Sequence, residues 1–201
     1  MTVGYVVADL DAVIKGKVTQ YIESLAALRD AVRAEASKYI PSLTLGGITP
    51  EENQYAEVPL RPEQFTGVDG NKLSGSFRQD VTSTGWNNNY LTADPSEAGE
   101  LGKNYVFGVV GLAIMDSVAL LSEIQLHQSD YTFPVIDLEE SVSKSPCAII
   151  FDVSDSQAKR LVFNPDTKFA LDVFFTGTGY QSIKPLGIAE IPKNTAINKT
   201  F

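Results

Sequence analysis

The side chains that could do chemistry in this chain are few and scattered. There is one histidine, His127, and one cysteine, Cys147, among 201 residues. Hydroxyl-nucleophile catalysis needs an imidazole beside a serine or threonine and a third group to orient it, and zinc needs three or four nitrogen or sulfur ligands. Neither set is recognisable around His127, which follows Ile124 and Leu126 near the end of an alternating segment and reads as a lone surface histidine. Cys147 opens the apolar run Cys147-Ala148-Ile149-Ile150-Phe151, the pattern of core packing, and a single cysteine cannot form an internal disulfide. Asp137, Glu139 and Glu140 are close in sequence, but two carboxylates sharing acid and base work must face one another, so a solvated edge explains them better. Asp69-Gly70-Asn71 shares its opening with a calcium loop; Asp80 stands where the bidentate glutamate belongs, and the segment reads as a turn. No catalytic residue, cofactor or metal site is assigned.

Trp86-Asn87-Asn88-Asn89-Tyr90 carries more information. Aromatic rings beside amides can stack on a sugar and hydrogen-bond its hydroxyls, and they equally suit a loop anchor or the centre of a protein contact. We read Trp86 and Tyr90 first as contact or anchor residues, with glycan binding second.

The elements that must position these residues change character along the chain. Residues 10–40 repeat at helical spacing. Asp9 or Asp11 is placed to cap a helix that runs to about Tyr39 and stops before Pro41, with Gly16 as a weak point near its start. Val18, Tyr21, Leu25, Leu28 and Val32 form a 3-4-3-4 stripe, which Ile14 and Tyr39 extend. At 1.5 Å per residue such a helix is roughly 45 Å long, more than one face of a small sandwich easily covers. The stripe can lie on its own sheet or form a coiled-coil or swapped contact between subunits. We take Val18, Tyr21, Leu25, Leu28, Val32, Trp86 and Tyr90 as candidate subunit-contact residues.

Residues 42–103 are rich in glycine, proline and asparagine and read as long loops, with short strands near 57–60 and 73–81. Beyond them the signal is β: candidate strands at 105–115, 119–127, 132–138, 148–153, 159–163, 169–175 and 182–191. Phe169, Leu171, Val173 and Phe175 alternate with Ala170, Asp172 and Phe174, giving one apolar face. The expected fold is mainly β: an antiparallel, jelly-roll-like β-sandwich preceded by one long N-terminal α-helix. The division is residues 1–41 as helical segment and 42–201 as sandwich.

Composition narrows the function. The formal net charge is −9, and residues 93–140 hold nine acidic residues against Lys103 alone, so a phosphate backbone is repelled and direct nucleic-acid binding is disfavoured. The N-terminus lacks the basic and apolar regions of a signal peptide, and no apolar run reaches the ~20 residues of a membrane span. In general layout residues 100–195 resemble small single-jelly-roll virion proteins, although no family-specific motif accompanies the layout. The expectation is therefore a self-assembling structural protein, such as a virion coat, shell or fibre subunit, whose partner is itself as a homo-oligomer and which resides in the assembled particle. The alternative is a soluble intracellular carbohydrate- or ligand-binding β-sandwich module. An enzyme is not expected, for want of a nucleophile, base or metal set.

Overall fold

The computed structural model of the chain describes residues 4–39, 55–97, 105–139, 143, 145–153 and 159–192. The N-terminal segment starts with a strand, β1 (Tyr5–Asp9), which the sequence reading did not anticipate. Its last residue, Asp9, then caps the short helix α1 (Leu10–Ile14) by accepting a hydrogen bond from the Ala12 N–H at 2.8 Å. Gly16, with φ of 63°, takes the left-handed conformation that ends this turn. The long helix α2 (Thr19–Tyr39) follows, so the expected single helix is broken where glycine makes a break inexpensive. Its 21 residues span roughly 32 Å at 1.5 Å per residue, short enough to lie along one sheet.

Two antiparallel sheets form the body. One has the order β1, β9 (Cys147–Phe151), β5 (Val106–Ile114), β12 (Gly179–Pro192) and β2 (Tyr55–Pro59), with β10 (Val162–Phe163) added to β5 and β3 (Arg78–Val81) to β12. The other has the order β4 (Gly85–Ala93), β11 (Phe169–Phe175), β6 (Leu121–Gln128) and β7 (Tyr131–Thr132), with β8 (Ile136–Asp137) also on β6. Expected strands 105–115, 119–127, 148–153 and 169–175 match β5, β6, β9 and β11 to within two residues, and 182–191 matches β12 less closely. The expected strand 132–138 divides into β7 and β8, and 159–163 begins as a 3₁₀ turn at Lys159–Leu161.

Every residue of β5 and β9 is buried, which requires cover on both faces. On one side Phe107 joins the core between the sheets: it stacks on Phe163 at 4.9 Å between centroids and meets Phe65 and Phe169 edge-on. On the other side lies α2, whose buried residues are Ser24, Leu28, Val32 and Ala36. Gly108 makes that approach possible, because a Cβ there would stand 2.7 Å from Val32 Cγ2 and 2.8 Å from Leu28 Cδ1. Ser24 Oγ donates to the Phe151 carbonyl at 3.1 Å, satisfying the one polar side chain among the buried residues of the helix. At the helix surface Arg29 reaches Glu57 on β2, and Arg33 reaches both Glu57 and the buried Glu190 on β12.

Candidate ligand-binding cleft

The segment 86–90 is a strand, and its three kinds of residue separate in space. Expected as a loop, it forms most of β4, the last strand on its side of its sheet. The ladder with β11 pairs Asn87 with Val173 and Leu91 with Leu171, so four steps on β4 oppose two on β11. The surplus bulges at Asn88 to Tyr90, and Asn89 takes φ of 57°, a conformation asparagine tolerates better than most residues. Its N–H donates to Asp172 Oδ1 at 2.7 Å. Tyr90 turns inward: it is fully buried and donates its hydroxyl to the Gln181 carbonyl at 3.0 Å. Trp86 stays 42% exposed, edge-on to Phe174 at 5.6 Å.

The bulge forms part of the wall of a cleft of about 1330 Å³. Residues 61–72 supply a second wall. Phe65 anchors this loop in the aromatic core, and Thr66 exchanges two backbone hydrogen bonds with Thr92 at 2.8 and 3.0 Å, which continues the sheet beyond β4. A third wall comes from the β6–β7 turn and the approach to β11. There Ser129 N–H donates to the Lys168 carbonyl at 2.8 Å, and Lys168 N–H donates to Ser129 Oγ at 3.0 Å. Tyr39 at the end of α2 donates to Asp166 on the same rim at 2.8 Å.

His127 is not a lone surface residue. Its Nε2 lies 2.9 Å from Asp172 Oδ2 and its Nδ1 3.1 Å from Thr132 Oγ1. A hydroxyl, an imidazole and a carboxylate in sequence are the parts of a nucleophile relay. Thr132, however, is the cross-strand neighbour of His127 and does not line the cleft, so the contact ties β7 to the cleft floor without presenting a nucleophile there. Together the partners of Asp172 fix its carboxylate from both sides, through His127 and Asn89.

The cleft is acidic. Glu63, Asp94, Glu97, Asp130, Asp166 and Asp172 line it against Arg61, Lys72 and Lys168. Lys168 pairs with Asp94 at 2.8 Å. Partial burial pushes the Asp94 carboxyl up, but hydrogen bonds from Lys168 and Ser96 outweigh that and hold it below the usual carboxylate range. Among the described residues no group of three or more histidine, cysteine or carboxylate side chains is placed to hold a metal ion.

Among the described residues, two polar groups lining the cleft lack partners. Tyr105 is fully buried and its hydroxyl makes no hydrogen bond; burial, and then the Asp94 carboxylate, raise its pKa far above that of an exposed tyrosine. Gln64 is 92% buried, since only 8% of its surface is exposed. Its Oε1 accepts from the Arg61 N–H at 2.6 Å, while its Nε2 has no acceptor. Neither residue carries a sequence signal, because burial of a single polar atom depends on segments far apart in the chain.

The other sequence-derived positions fall elsewhere. Leu28 and Val32 are fully buried under α2, Tyr21 and Leu25 pack against the same core, and Val18 packs on the small cluster of Val13, Ala148 and Ile150. Ile14 lies on α1 and is 74% exposed, so it does not extend the stripe. Asp69 accepts from Asn71 in a turn, and Asp137 accepts from the Glu139 N–H beside its cross-strand neighbour Glu123. Glu140 lies outside the described residues. Compared with protein-family models, with curated proteins and with solved structures, the chain matches none.

Proposed function

We propose that this protein is a ligand-binding β-sandwich module that takes a polar molecule into the cleft between residues 61–72, the β4 bulge and the start of β11. The observation that carries this reading is a pair of buried groups without partners among the described residues, the Tyr105 hydroxyl and Gln64 Nε2, both on residues that line the cleft. Leaving a buried donor unsatisfied costs about 1–3 kcal/mol, and a ligand that pairs with both recovers that cost on binding. Packing of the helical stripe inside its own chain also removes the main reason for expecting assembly through α2. The test is a chemical-shift titration of isotope-labelled protein with neutral sugars, amino acids, polyamines and dicarboxylates added separately. Shifts concentrated at Gln64, Asn88, Thr92 and Lys168 are expected, and no compound producing them would refute the reading.

A second reading, the self-assembling structural subunit, is supported by one observation. Trp86, Met115, Val118 and Tyr180 are 42%, 49%, 67% and 57% exposed, and the ladders gather them where β4 and β12 begin and β5 ends. The turns carrying them are tied together: Thr176 N–H donates to the Leu120 carbonyl, and Gln181 bridges to Val118 and Leu120. Apolar side chains gathered on a rigid end suit a protein contact. Native mass at rising concentration tests this, a persistent monomer counting against it.

A further inference from the structure

We infer that the cleft ligand is an uncharged carbohydrate longer than one ring; this rests on the binding reading above. Three observations select the class. Six carboxylates against three basic side chains repel anions, which sets aside phosphate compounds and acidic sugars. A cation would be attracted, but an ammonium group has only donors to offer, and the unpartnered Gln64 Nε2 is itself a donor that needs an acceptor. The partner must therefore bring acceptors without negative charge, and donors as well for the carboxylate of Asp172 and the amide oxygens of Asn88 and Asn89. A sugar hydroxyl does both from one atom. Size then decides between one ring and several. A cleft of about 1330 Å³ exceeds the roughly 300–1,000 Å³ of most small-molecule sites.

The side chains have separable roles. Tyr105 and Gln64 lie behind the wall with their polar atoms covered, so they read hydroxyls once the side chains in front of them part on binding. Asn88 and Asn89, lifted from the ladder by the bulge, read the outer edge. Of the aromatic rings lining the described cleft, Tyr105 and Phe169 are buried and the His127 imidazole is held between Asp172 and Thr132. Recognition is thus by hydrogen bonding to ring substituents, so stereochemistry at the hydroxyls, not ring stacking, sets selectivity.

The experiment is calorimetry on the full chain with neutral oligosaccharides of two to six units (β-1,4-glucan, xylan, α- and β-mannan, galactan), glucuronic-acid oligomers, spermidine and glutamine. At least one neutral series is expected to bind with affinity rising with length until the cleft is filled, unchanged between 50 and 500 mM salt (on the order of 14 to 4 Å in Debye length). Tyr105→Phe and the exposed-wall variant Asn88→Ala should each weaken that series about tenfold or more while melting cooperatively. Spermidine, glutamine or acidic oligomers binding in the cleft while every neutral series fails would overturn the carbohydrate assignment and leave the binding reading intact. No binding by any probe would overturn both.

Discussion

Replacing Tyr105 with phenylalanine removes one hydroxyl and leaves the ring in its fully buried place. Because that hydroxyl has no partner, the variant should be more stable than the wild type without ligand, by up to about 1–3 kcal/mol in denaturant unfolding, while losing affinity. A loss of stability would mean that the hydroxyl is already satisfied. Glu190 gives a pH test. Burial raises its pKa above the ordinary 4.5, against the opposing hydrogen bond from Arg33. An acid with a raised folded pKa contributes stability that is complete below its unfolded value and disappears as pH climbs through the folded one. The melting temperature of Glu190→Gln relative to wild type should therefore rise between about pH 4.5 and neutrality; a flat difference would contradict it. Cys147, 1% exposed and with its pKa raised by burial, should stay unlabelled by a thiol-reactive dye until the protein unfolds. Its core position was legible in the run 147–151. The partners of His127 were not, since Asp172 is 45 residues away and reaches it only through the pairing of β6 with β11.

At the scale of elements, the seam between α2 and β5 depends on what Gly108 lacks. Gly108→Ala places a methyl group within 2.7–2.8 Å of Val32 and Leu28, and should cost about 1–3 kcal/mol as the helix is displaced. Circular dichroism during chemical unfolding measures it, and an unchanged midpoint would show that the helix yields freely. The same seam explains which periodicities could be read. Helix, cap and break were visible in Asp9, Gly16 and the 3-4 stripe, because they are local. Whether the stripe faced its own sheet or a second chain was not, because that depends on a glycine, Gly108, far along the chain from Leu28 and Val32. β4 escaped detection for the opposite reason: Gly85 and three successive asparagines oppose a strand by propensity, and pairing with β11 overrides them. β1 is short and half exposed, with little alternation to announce it.

For the whole molecule, the sandwich was legible from alternation after residue 100, and the cleft was not, since its walls come from segments distant in sequence. The ends of the body now differ in character. Trp86 stands at one end of β4 and Ala93 at the other, roughly 20 Å away at about 3.3 Å per residue along the strand. If copies gather through the apolar end, Trp86→Ala should weaken association by about 2 kcal/mol or more in sedimentation equilibrium. That separation makes the body polar, with a direction as well as a shape. Copies joined by their apolar ends would each bring a cleft, so a polymer carrying repeated ligand groups would meet more than one mouth at once. Retention on such a surface would then exceed the strength of any single cleft, by avidity alone.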